Sequence, residues 1–210
     1  MFKFFFLIMT AIFLTALASA QDSSFLSRPS PFAGSTLLSL ATFEEVRKEI
    51  GLTPADEAHV DQLVDKFTVE IGQSFKKTED DFEAGQNDLD RLSNTYDDKL
   101  MLVLSASETA RLRQLYIQYV GVLAVNRPDI AQQLGVTDDQ KAQLTELQTV
   151  EHHKFKALLE QSLPMQEAQD QMRQNREDYK GALSKVLSKD QRETLKSLAG
   201  VHFEFQKIES

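Results

Sequence analysis

The stretch IAQQLGVTDDQ, residues 130–140, reads as one helix ending and another beginning. Ile130 and Leu134 lie one turn apart. Gly135 then supplies the residue type that best follows a helix C-terminus in the left-handed conformation. Val136-Thr137-Asp138-Asp139-Gln140 carries the capping-box pattern, a hydroxyl at the N-cap with an amide or acid three residues on. The stretch VRKEIGLTPAD, residues 46–56, has the same grammar 84 residues earlier. Gly51 stands where Gly135 does, Leu52 and Thr53 precede the new start, Pro54 suits the first helical position, and Asp56 takes the place of Gln140. One joint written twice at a fixed offset marks an internal repeat. Thr42 and Asn126 are the matching expected N-caps of the short helix before each joint, with Pro128 just inside the second.

Two further helix starts lie downstream. Leu104-Ser105-Ala106-Ser107-Glu108 and Leu187-Ser188-Lys189-Asp190-Gln191 are related by an offset of 83. Each of the four starts places an apolar residue before a hydroxyl cap, so Leu52, Leu104, Val136 and Leu187 are expected to enter the core. Each cap contributes ~1 kcal/mol.

Between the starts runs a seven-residue ladder. Phe75, Phe82, Leu89, Tyr96 and Val103 form the first, and Leu158, Met165, Met172, Tyr179 and Val186 repeat it 83 residues later. Heptad spacing predicts a long helix with one apolar seam. Gly85 and Pro164 interrupt it, at costs of ~1 and ~3 kcal/mol in a helix interior. A kinked but continuous helix is expected, because a turn would usually reset the phase; a hairpin at Pro164 is the alternative. A third helix in each copy follows Leu112, Leu115, Tyr116, Tyr119, Val120 and Leu123, matched by Leu195, Leu198, His202 and Phe205. The fold expected is all-α: an elongated bundle of two tandem three-helix repeats, over 37–121 and 122–207.

The N-terminus predicts export. Lys3 is followed by an apolar run from Phe4 to Leu17 and by Ala18-Ser19-Ala20, the order of a cleavable secretory signal. The run is short for a membrane span of ~20 residues, so cleavage after Ala20 and no stable membrane insertion are expected. Residues 21–36, rich in Ser, Pro and Gly, read as a flexible leader. The chain has no cysteine, which removes disulfides and thiolate metal sites together. From Gln21 onward 22 basic and 32 acidic side chains give a net charge of −10. Such a chain is a poor partner for nucleic acid, which draws on clustered Lys and Arg. The expected compartment is periplasmic or extracellular.

The four starts, with Val136–Gln140 and Leu187–Gln191 the nearest matches, resemble the LTxxQ-motif (Spy/CpxP-like) family of exported helical proteins. Asp56 and Glu108 depart from its glutamine, and Ser105 and Ser188 from its threonine. The resemblance implies an elongated envelope protein without cofactor that binds unfolded or envelope proteins, chaperone-like, as a homodimer or an intrachain pseudo-dimer. A metal- or stress-sensing accessory role and a structural envelope role are the alternatives.

No catalytic constellation is legible. The sequence has no cysteine nucleophile, no Gly-rich phosphate loop and no GxSxG elbow. His152 and His153 point about 100° apart on a helix and are expected to share no metal. His59 has no counterpart in the other copy, and His202 falls on an apolar stripe, where packing is the expectation. Glu79, Asp80, Asp81 and Glu83 read as a solvated face, lacking the glycine of a calcium loop. Phe67, Phe75, Phe82, Met165 and Met172 are expected mainly in the core, with an adaptable client groove as the functional alternative.

Overall fold

The structure, a computed structural model, describes residues 36–161 and 163–205. The segments expected as export signal and leader, Thr36 excepted, lie outside the described residues, as do residues 206–207 and the side chains of Phe75, Glu79 and Asp80. The described chain is all helical, with no strand among the described residues. In order come α1 (Leu37–Leu40), α2 (Glu44–Ile50), α3 (Pro54–Asp80), α4 (Phe82–Val103), α5 (Ala106–Val120), a 3-10 turn (Gly121–Asn126), α6 (Pro128–Gln133), α7 (Asp138–Glu160), α8 (Met165–Val186) and α9 (Lys189–Leu198).

Each expected long helix is two helices folded back as a hairpin. Asp81 leaves the helical conformation at φ −141° and caps α4 by accepting from the Ala84 amide. Lys77 pairs with Asp88 at 2.5 Å and Tyr96 donates to Glu70 at 2.8 Å, so α3 and α4 run antiparallel. Pro164 is the N-cap of α8, not an interior residue. The heptad phase misled because it hardly tests continuity. Phe82, Leu89, Tyr96 and Val103 all lie on α4, and Met165, Met172, Tyr179 and Val186 all lie on α8. Only Phe75 and Leu158 precede the turns. A ladder confined to one arm keeps its spacing whatever the chain does before it.

The other corrections are local. The short helices α2 and α6 are capped at Phe43 and Arg127, one residue later than Thr42 and Asn126, with no side-chain cap bond. Thr42 instead donates to the Ser39 carbonyl, and Asn126 to the Tyr179 hydroxyl. Leu123 falls in the 3-10 turn beyond α5, and α9 ends at Leu198, before His202 and Phe205. His202 is exposed and packs on no stripe.

The core sits at one end of the molecule. Leu37, Leu38 and Leu40 of α1 are buried with Val46 and Ile50 of α2, Val60 of α3, Leu92 to Leu100 of α4, and Leu112 to Val120 of α5. From the second half, Ile130, Leu134, Leu144, Leu183, Leu187 and Leu195 join the same cluster. Beyond this base the hairpins α3/α4 and α7/α8 project as two arms. Over residues 67–90 and 150–178 the buried described side chains are Ser74, Leu158 and Ala168, with Gly85 also covered. Phe82 of one arm meets Phe155 of the other at 6.4 Å between ring centroids.

A buried ion pair ties the base together. Asp97 on α4 is 2 % exposed and Arg127 is 8 % exposed. Their salt bridge is completed by the Leu37 and Leu38 amides, which donate to the same carboxylate at 3.1 and 2.9 Å. Arg127 also reaches Asp129, which in turn holds Arg113 at 3.0 Å. Burial pushes the Asp97 carboxyl up, opposed by Arg127 and the two amides. Burial works against the Arg127 charge, yet Asp97 and Asp129 together hold its pKa above the ordinary value. Removing Asp97 leaves the buried Arg127 charge with Asp129 alone and takes the acceptor from the Leu37 and Leu38 amides, a loss of ~3–5 kcal/mol. Asp97→Ala should therefore lose about that much in urea denaturation, and the double variant with Arg127→Ala less than the sum of the two single losses.

Candidate functional site

The four expected helix starts form one kind of joint. Thr53, Ser105, Thr137 and Ser188 each accept from the backbone N–H three residues on, at Asp56, Glu108, Gln140 and Gln191, whose side chains reach back to the cap amide. Leu104, Val136 and Leu187 are buried beside their caps, and Leu52 is partly buried against the same core. A fifth capping box, Thr36 with Ser39, opens α1, so Thr36 belongs to the folded base and not to the expected leader. At both Gly51 and Gly135 the backbone is left-handed. In each case the next amide, of Leu52 or Val136, bonds five residues back, to Arg47 or Ala131, at 3.1 and 3.0 Å. This closes the helix as a Schellman motif.

The second half adds what spacing alone did not reveal. Gln140 Nε2 donates to Gln191 Oε1 at 2.8 Å, and Gln191 Nε2 donates back to Gln140 Oε1 at 2.9 Å. Gln140 Nε2 also reaches the Val186 carbonyl at 2.8 Å, and Gln191 Nε2 the Gly135 carbonyl at 3.3 Å. Each amide thus caps its own helix through oxygen and fastens the other helix start through nitrogen. Only a side chain that both donates and accepts can do both. Asp56 and Glu108 carry acceptor-only carboxylates when ionised, so such an exchange between them is excluded. Gln140→Glu, which keeps the cap acceptor and removes the donors, should lose ~1–3 kcal/mol by thermal or urea unfolding. Gln191→Glu should lose a similar amount.

Between the arms lies a polar seam. Gln148 of α7 donates to Asp90 of α4 at 3.0 Å. Burial pushes the Asp90 carboxyl up, with His152 nearby opposing the shift, and burial likewise raises Glu151. A carboxyl raised by folding stabilises the fold below its unfolded value of ~4, and that contribution is lost as pH rises through the folded value. Asp90→Asn should therefore be more stable than the unaltered chain at pH 7, the gap closing as pH falls toward ~4. The urea midpoint across that pH range measures it.

The histidines do not converge. His59 and His153 are exposed and His152 is partly buried. Among the described residues no group of three or more His, Asp or Glu gathers to hold a metal ion. Other groups with shifted pKa have structural partners. Burial pushes Tyr96 up to about 12, helped by its bond to Glu70, and the hydroxyl of the partly buried Tyr179 bonds Asn126. Of the Met and aromatic set, Phe67 stacks on Tyr96 at 5.2 Å, Phe82 bridges the arms, Met172 is partly buried and Met165 is 54 % exposed. On the outer course of α7, Thr149, Val150, His153, Lys154 and Ala157 line an open depression of about 490 Å³.

No family model, curated protein or solved structure matches this chain. No helix among the described residues is long and apolar enough to cross a membrane.

Proposed function

We propose that this chain is an exported, non-enzymatic helical protein that binds other polypeptides, chaperone-like, through its two hairpin arms. The observation that carries this reading is the separation of arms from core. Val150, Ala157 and Met165 lie on the distal part of the second arm, exposed, where no core exists for them to enter. Flexible methionines and isolated apolar side chains on a polar arm suit varied clients better than one ligand of fixed shape. The short–long–long–short order of helices that occurs twice along the chain supports two tandem units, each contributing one arm. The capped joints and the export signal support the likeness to LTxxQ-motif proteins.

Holding a denatured model protein soluble on dilution, without ATP, is the expected activity, read by light scattering. Val150→Glu with Ala157→Glu changes only exposed positions, so helix content should be retained while several-fold more protein is needed for the same effect. Undiminished aggregation at molar excess of the unaltered chain would refute the reading.

A further inference from the structure

The last described residues leave the helical architecture and pack Phe203 and Phe205 against the edge of the core. After α9 the chain turns at Gly200, φ +66°, where the Gln114 side chain lies 2.4 Å from the point a Cβ would occupy. Residues 201–205, outside any helix, then lie along α5. Phe203 and Phe205 are partly buried and His202 and Glu204 exposed, the alternation of an extended chain.

Two sets of groups hold this strap. The first reads its backbone. Gln118 Nε2 donates to the Ala199 and Val201 carbonyls at 2.6 and 2.8 Å, while its Oε1 accepts from the Phe203 amide at 2.8 Å. Arg111, anchored to Glu49 at 2.8 Å, adds a bond to the Val201 carbonyl at 2.9 Å. One glutamine amide thus serves the chain as a neighbouring strand would, through groups every peptide possesses. The second set is aromatic. Phe43, Tyr119, Phe205 and Phe203 form a file of rings with successive centroids 5.8, 5.2 and 5.0 Å apart, each pair edge-on.

We infer that the α2/α5 face is a peptide-binding groove occupied in cis by residues 199–205, and that its partner is an extended segment of another protein with aromatic residues at alternate positions. The backbone contacts fix direction and register, and the ring file selects the aromatic pair. Because the strap is tethered at Gly200, it competes at high effective concentration. A partner's apparent affinity is reduced by the fraction of molecules in which the strap is open. The groove is distinct from the hairpin arms and stands or falls separately from them.

The test uses the full chain and a labelled peptide copying residues 199–205, followed by fluorescence anisotropy. Phe203→Ala with Phe205→Ala loosens the strap. This variant should bind the peptide at least about tenfold more tightly than the unaltered chain, and adding Gln118→Ala should abolish the gain. A peptide with alanine in place of both phenylalanines should not bind. Equal affinity for both chains, or indifference to Gln118→Ala, would overturn the inference.

Hydrogen exchange at the Phe203 amide of the unaltered chain gives a reading independent of any variant's folding. It should proceed through local opening, and exchange only upon global unfolding would make the strap a fixed part of the core and end the proposal. Concentration-dependent dimers that vanish in the loosened variant would instead assign the groove to a second copy's strap. Val150→Glu with Ala157→Glu should leave the peptide titration unchanged, so failure of the arm reading and failure of the groove are told apart.

Discussion

The base of this molecule depends on one buried charge. Asp97 gathers three partners that are remote in sequence: two amides at the start of α1 and the guanidinium just before α6. Each alone would be a poor reason to bury a carboxylate, since desolvation costs several kcal/mol per ion. Together they satisfy it, and none of them can be placed elsewhere without stranding the others. A four-residue helix such as α1 has no stability of its own. It is held because its free N-terminal amides have an acceptor waiting and its leucines complete the core.

The helical class, the joints and the four hydroxyl-capped helix starts were legible, because caps and the glycines that end helices are local chemistry. The reversal of each long segment was not. Asp81 stands in a run of acids that suits a solvated face, and its role as an N-cap follows only from α4 beginning after it. Pro164 marks the second reversal, which the unbroken heptad phase conceals. Asp97 was a missed signal of a different kind: an acid directly after the ladder rung Tyr96, on the part of α4 that enters the core. The strap was invisible because Gln118 is an ordinary helix residue until residues 199–205 return to it.

The division between base and arms follows from where apolar residues run out. Near the base, α4 buries Leu92, Tyr96 and Leu100, and the helices around it contribute leucine and valine. Further out, the arms meet through a pair of phenylalanines and a glutamine-to-aspartate bond across a partly desolvated seam. Such arms can shift relative to one another at modest cost, because few buried contacts are exchanged when they do. The reciprocal glutamines work the other way, clamping the starts of α7 and α9 where the second arm leaves the base. Rigidity is thus concentrated at the root of the arms.

The strap also bears on the order in which the chain completes itself. Gln118 meets Ala199 and Phe203, 81 and 85 positions further along the sequence. A chain growing from its N-terminus can close Asp97 on α1 and Arg127 well before those partners exist. Until residues 199–205 have been made, the aromatic file on α5 stops at Tyr119 and the Gln118 amide lacks its backbone partners. The first half therefore presents this aromatic and amide surface early and covers it only when residues 199–205 arrive, an interval in which other chains can compete for it.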